Sequence, residues 1–157
     1  MVREGTHVNE QGGSTVSQTF EKWSITAERA QIMVNAAAAK AQEIGVPMVI
    51  AVVDDSGILK AFLRMDGVKL LSVDIAQNKA WTAASFGIAT DQWHEFIKND
   101  APLLTGIPST PRLIVFGGGY PIVANGQVVG GIGCSGGHYS QDMECAQAGL
   151  AAWSQEA

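Results

Sequence analysis

The chain has little that would staple a fold covalently or through a metal. Its 157 residues hold two cysteines, Cys134 and Cys145. That is too few for a disulfide scaffold, and no CxxC occurs. Free thiols in a reducing compartment are the plain expectation. His7, His94 and His138 share no metal-ligand spacing and no HxxxH is present, so no structural metal is expected. Charge is sparse as well: 16% of residues are charged, the ten basic ones are scattered, and the formal net charge is −5. No basic stripe exists to neutralise a run of phosphates, which argues against nucleic acid as a partner. No apolar run approaches the roughly 20 residues of a membrane span, so no membrane partner is expected. Met1 to Ser24 has no continuous apolar stretch and does not have the pattern of a secretory signal. The expected location is the cytoplasm.

What is present is a globular composition, 46% hydrophobic, in a chain of ordinary single-domain length that can bury its own core. Residues 1–23 are rich in Gly, Ser, Thr, Gln and Glu and are expected to form a loosely ordered arm, with Val16, Phe20 and Trp23 able to dock it on a neighbour. Residues 24–157 form the expected single domain. Thr26 suits an N-cap, Glu28 the first turn, and Ala30, Met33, Ala37, Ala41 and Ile44 recur at helical spacing until Gly45 and Pro47. Met48–Val53 and Ile58–Arg64 predict a hairpin across Asp54–Gly57. Ser72 is the expected cap of an alanine-rich helix over Val73–Phe86. Its stripe of Ala76, Ala80, Ala83 and Gly87 lets another backbone approach closely, within the chain or between subunits. Thr90 is the expected cap of a short helix through Ile97. Prolines at 102, 108 and 111 with Gly106 exclude a long helix over 101–111.

Strands are then expected at Leu113–Phe116 and Tyr120–Val123, and at Gln127–Gly133 after the Asn125-Gly126 turn, whose type I′ geometry needs positive φ at both positions. Ser140 is the expected cap of a last helix to about Trp153. The fold class is an α/β (α+β) sandwich, profilin-like. A five-stranded, mainly antiparallel sheet is flanked by helices in the order α-β2-α(2-3)-β3-α.

The segments SVDIAQNKAWTAASFG (Ser72–Gly87), GGGYPIV (Gly117–Val123) and NGQVVGGIGCSGGHYSQDMECAQAGL (Asn125–Leu150) together resemble the GlcG/HbpS family, which includes the C-terminal domain of PduO-type proteins. The resemblance runs over roughly residues 25–153. It implies a helix-flanked five-stranded antiparallel sheet and homo-oligomers from dimer to octamer. Some members of that family look like haem binders or haem-degrading proteins. Others look like accessory enzymes of catabolic operons. Cys134 stands where the family motif commonly has a small aliphatic residue.

The residues themselves nominate a site. Lys79 lies on an otherwise apolar helix, where burial would lower its pKa and make it a base or amine nucleophile; the structural alternative pairs it with an acid such as Asp74. His138 follows Gly136-Gly137 and can serve as a proton shuttle or an axial haem ligand. Ten of the eighteen glycines fall within Gly106–Gly137. Backbone N–H groups of Gly117, Gly118 and Gly119, and of Gly136 and Gly137, can hold a carboxylate or oxyanion. Arg112, Tyr120 and Ser135 complete the expected substrate-binding set. Asp142 and Glu144 sit where the helix dipole alone accounts for them.

Three functions are compatible with these residues. The first is a cytoplasmic accessory enzyme, of hydrolase, deaminase or tautomerase type, with Lys79 and His138 moving protons on a small polar acid, imine or ring-cleavage metabolite and no cofactor. The second is a haem or tetrapyrrole binder with His138 or His94 as axial ligand. The third is a non-catalytic oligomeric binding module.

Overall fold

The computed structural model describes residues 16–155. Helix α1 spans Ala27–Glu43, and Thr26 caps it, its side chain accepting from the Arg29 amide. Strands β1 (Val49–Asp54) and β2 (Leu59–Arg64) pair antiparallel. Asp54 turns the chain between them, one carboxylate oxygen accepting from the Ser56 and Ile58 amides at 2.9 and 3.0 Å. Helices α2 (Ser72–Phe86), α3 (Gln92–Ile97) and α4 (Ala101–Gly106) follow, with a 3-10 turn at Ile107–Ser109. Strands β3 (Gly119–Ala124) and β4 (Gln127–Ser135) form the second hairpin. Asn125 and Gly126 take φ of 50° and 76°, the positive pair that a type I′ turn requires. Helix α5, Tyr139–Ser154, ends the domain.

The sheet order is β2-β1-β4-β3, antiparallel throughout. Strand alternation divides its two faces. Ile50, Val52, Ile132 and Cys134 point into the larger core under α1 and α5. Val49, Ala51 and Val53 point to α2 and pack on Ala76, Ala80 and Ala84. Each fully buried valine or isoleucine here contributes about 1.5–3 kcal/mol. The close approach expected of the α2 stripe occurs within the chain, against β4. A Cβ at Gly133 would collide with the Ala76 carbonyl and lie 2.6 Å from the Ala80 amide, and one at Gly131 would collide with the Ala80 carbonyl. Helix α2 therefore lies directly on the β4 backbone.

Two expectations need correction. Four strands, not five, are present among the described residues. The segment Leu113–Phe116 is not a strand. Arg112 turns with φ 67°, and the next backbone groups bond to α2 instead of a sheet edge: Thr82 Oγ1 donates to the Arg112 carbonyl and accepts from the Ile114 amide, both at 3.1 Å. The caps also differ. Leu71, not Ser72, precedes α2 and makes no side-chain cap bond; Asp91, not Thr90, precedes α3; and His138, not Ser140, caps α5. Thr90 is drawn off to the sheet, where its hydroxyl accepts from the Gly119 amide at 2.9 Å. Of the arm expected over residues 1–23, residues 1–15 lie outside the described residues. Residues 16–24 form no helix or strand, and Val16, Phe20 and Trp23 are exposed.

Candidate functional site

Lys79 is completely buried. It stands in phase with the inward stripe of α2, among Ser72, Ala76, Ala80 and Ala83. Its ammonium donates to Asp142 Oδ2 at 2.6 Å and to the Cys134 carbonyl at 2.9 Å. It also sits 5.0 Å from the centre of the Phe116 ring, a cation–π separation. Burial lowers its pKa from the ordinary 10.5, and the Asp142 carboxylate opposes that shift. The paired acid is thus Asp142, not the exposed Asp74.

Asp142 also organises the second glycine loop. Its Oδ1 accepts from the Gly136 and Gly137 amides at 3.0 and 3.2 Å. The N–H nest expected at these glycines is present, and the protein's own carboxylate fills it. The first glycine loop closes over the same ion pair. Gly118 has φ 116°, and a Cβ there would lie 2.7 Å from Lys79 Nζ and 2.8 Å from Asp142 Cβ. The Gly118 carbonyl accepts from the Cys134 amide at 2.9 Å. Gly117, Gly118, Gly119 and Ser135 are all buried. The structure thus brings together Lys79, Gly117–Gly119, Ser135, Gly136 and Gly137 around Asp142.

No side-chain hydrogen bond joins the other candidates to them; His138 meets Asp142 only through the backbone, its carbonyl accepting from the Asp142 amide at 3.1 Å. His138 is exposed: its Nδ1 accepts from the Ser140 amide at 3.3 Å as the helix cap, and its ring lies 4.2 Å from that of Tyr139. Arg112 is exposed, bonded to Asn78 at 3.2 Å and set 4.7 Å over Trp81. The Tyr120 hydroxyl accepts from Gln147 at 3.1 Å; burial raises its pKa, with the Asp91 charge adding to the shift.

A pocket of about 410 Å³ opens beside α3, within the usual range for small-molecule sites of roughly 300–1,000 Å³. Asp91, His94, Glu95, Val115, Phe116, Gly117 and Tyr139 line it. Phe116 therefore serves two surroundings, the pocket and the Lys79 ammonium. The α3 wall is braced from behind by a cluster in which the Trp93 ring lies 4.6 Å from Phe86 and 5.8 Å from Phe96. Among the described residues no group of three or more His, Cys, Asp or Glu side chains is arranged to hold a bare metal ion.

Residues 25–151 match the family described as haem degrading protein HbpS-like. The chain belongs to the HbpS-like family. This HbpS-like chain is 38% identical over 133 residues to a 15.0 kDa protein of the dhaT-dhaS intergenic region of Citrobacter freundii, covering 84% of this chain and 94% of that one. Its fold matches a crystal structure of HbpS with a TM-score of 0.78 at 31% identity, covering 88% of this chain and 96% of that one. It also matches the crystal structure of a PduOC–haem complex, with a TM-score of 0.77 at 34% identity, covering 82% and 94% of the two chains.

Two features of the site escaped the sequence reading. In sequence the helix dipole alone accounts for Asp142, yet it shares the inward phase of α5 with Cys145, Ala146 and Gly149. An acid in phase with a buried stripe, close behind Gly136-Gly137, was the available signal. The pocket residues Asp91, Glu95, Val115, Phe116 and Tyr139 carried no such signal, because they meet only when α3, the 113–119 segment and the start of α5 converge.

Proposed function

We propose that this HbpS-like protein binds a tetrapyrrole, haem in the first instance, in the pocket beside α3. The observation that carries this reading is the pocket itself: an imidazole, His94, among the apolar and aromatic walls Val115, Phe116 and Tyr139. A PduOC relative is solved as a complex with haem, and the matching family is described by haem degradation. These support haem over the hydrolase-type reading.

The residues fit the group in two respects and constrain it in a third. His94 offers an imidazole nitrogen of the kind that ligates haem iron. Val115, Phe116 and Tyr139 offer surface that keeps water from a macrocycle face. Asp91 and Glu95 repel carboxylates, so propionates would be held away from α3. When bound, the haem would supply a redox-active iron centre whose potential the surrounding side chains would tune. In this reading Lys79, Asp142 and the glycine loops act as the frame that holds Phe116 and Gly117 in the wall. His138, next to Tyr139, is the second residue that would hold the iron, because its Nδ1 is engaged in capping and its other ring nitrogen makes no hydrogen bond among the described residues.

Hemin titration tests the proposal. A Soret shift that saturates with protein is expected, abolished by His94→Ala and retained in His138→Ala. Loss only in His138→Ala would move the ligand to the α5 cap. A featureless titration at micromolar protein would refute tetrapyrrole binding.

A further inference from the structure

We infer that the α3 pocket is also a receptor for a small organic cation, a primary ammonium or amidinium carried on a planar apolar body, whether or not haem binds there. The inference starts from Asp91. It lines the pocket, and its Oδ1, closed to solvent, has no hydrogen-bond partner among the described residues, so a ligand reaches that oxygen only by a shift of the wall around it. A buried carboxylate oxygen without a donor costs free energy until a donor arrives. Asp91 holds the N-cap position of α3, yet its side chain makes no cap bond, so the backbone does not use this carboxylate.

The protein's own cations nearby are committed elsewhere. Lys98 pairs with Glu95, and Lys79 is sealed with Asp142. The pocket lining contains no lysine or arginine; of its two carboxylates Glu95 is paired to Lys98, which leaves Asp91 beside the His94 imidazole as the charge the pocket presents. Its complement is therefore positive. The aromatic walls agree with the charge. Phe116 and Tyr139 are 41% and 48% exposed, which is ring surface free to meet a ligand. Phe116 already faces a cation on one side, the Lys79 ammonium. An aromatic wall beside a carboxylate binds an organic cation through ring quadrupole and charge-assisted hydrogen bond together.

Three shape-matched probes separate charge from shape: benzylammonium, benzyl alcohol and benzoate, followed by ligand-observed NMR on the intact chain. Benzylammonium should bind, benzyl alcohol weakly, and benzoate not at all. Asp91→Asn keeps the shape and breaks no cap bond. It should weaken benzylammonium roughly tenfold or more, the usual effect of losing a charge-assisted hydrogen bond. Phe116→Leu should weaken it as well, while Glu95→Gln, at a carboxylate paired to Lys98, should matter less. Equal binding of all three probes would overturn the inference, and so would an Asp91→Asn variant that binds benzylammonium as the parent does. Because the probe series uses the unaltered protein, a folding defect in a variant leaves the test decisive. The haem reading fails separately: a blank hemin titration with selective benzylammonium binding removes haem and keeps the cation site, and the reverse removes the cation site.

Discussion

Asp142→Asn is the sharpest perturbation available at the buried pair. The substitution preserves volume, and the amide oxygen can still accept from Gly136 and Gly137. The other position becomes an NH2 group, a donor facing the Lys79 ammonium at a distance now spanned by a 2.6 Å ion pair. Lys79 is then left with the Cys134 carbonyl and the Phe116 ring while fully buried. Removing one partner of a buried ion pair costs about 3–5 kcal/mol, chiefly through the uncompensated charge. For a chain of this size, about 2–4 °C per kcal/mol converts that to a fall in Tm of roughly 6–20 °C. Lys79→Met should cost less, because the carboxylate keeps two amide donors, and Lys79→Met/Asp142→Asn should recover part of the single Asp142→Asn loss. The pH dependence supplies a second check. Without Asp142 the main charge opposing burial is gone, so the folded pKa of Lys79 falls further below 10.5. Between those values the unfolded chain binds the proton more tightly, and stability rises with pH. The deficit of Asp142→Asn should therefore shrink from pH 7 toward pH 9.5 in urea melts. A variant melting within about 2 °C of the parent, less than 1 kcal/mol on that scale, would refute the reasoning, as would a double variant no better than the single one.

Gly133→Ala should destabilise by at least about 3 kcal/mol or yield insoluble protein, since the added methyl meets backbone of α2 on two sides. Gly106→Ala, with nothing within 4 Å of the new methyl and negative φ, should instead raise stability by about 0.4–1 kcal/mol. Paired urea denaturation curves decide both. Burial holds the Cys145 thiol up to about 11 from 9.0, and Cys134 is raised more strongly. The folded state then retains protons that the unfolded chain releases, so stability is lost as pH climbs from 9 toward 11, by on the order of 2 kcal/mol for Cys145 alone. Urea midpoints at pH 8 and 10.5 should show the fall, less steep in Cys145→Ala, and both thiols should resist a disulfide reagent at pH 8 until denaturant is added.

Periodicity and turn chemistry were legible without coordinates because they are local. Thr26 as cap, the α1 stripe, the β1–β2 hairpin and the Asn125-Gly126 turn each depend on a few neighbouring residues, and each appears as expected. The ordered motifs over residues 72–150 likewise placed the chain in its family. Leu113–Phe116 has the β-branched composition of a strand, but its backbone bonds go to Thr82 on α2. Only the packed position of that helix makes the alternative available. Thr90 lost its cap role in the same way, to Gly119.

The site shows the same division. Lysine on an apolar helix and glycines in two loops were visible as unusual residues, since a charge in a buried phase and missing side chains are properties of the sequence itself. Their partner was not visible. Asp142 lies 63 residues beyond Lys79, and only the stacking of α2 against β4, with α5 on the opposite face, brings a carboxylate to that ammonium. Sequence alone determined the α1 stripe with its Thr26 cap, the β1–β2 hairpin and the Asn125-Gly126 turn, because those demands are met within a turn or a strand. Tertiary structure decided which charges meet, which glycine amides remain free and which surfaces enclose a pocket, because electrostatics and packing act across space between elements far apart in the chain.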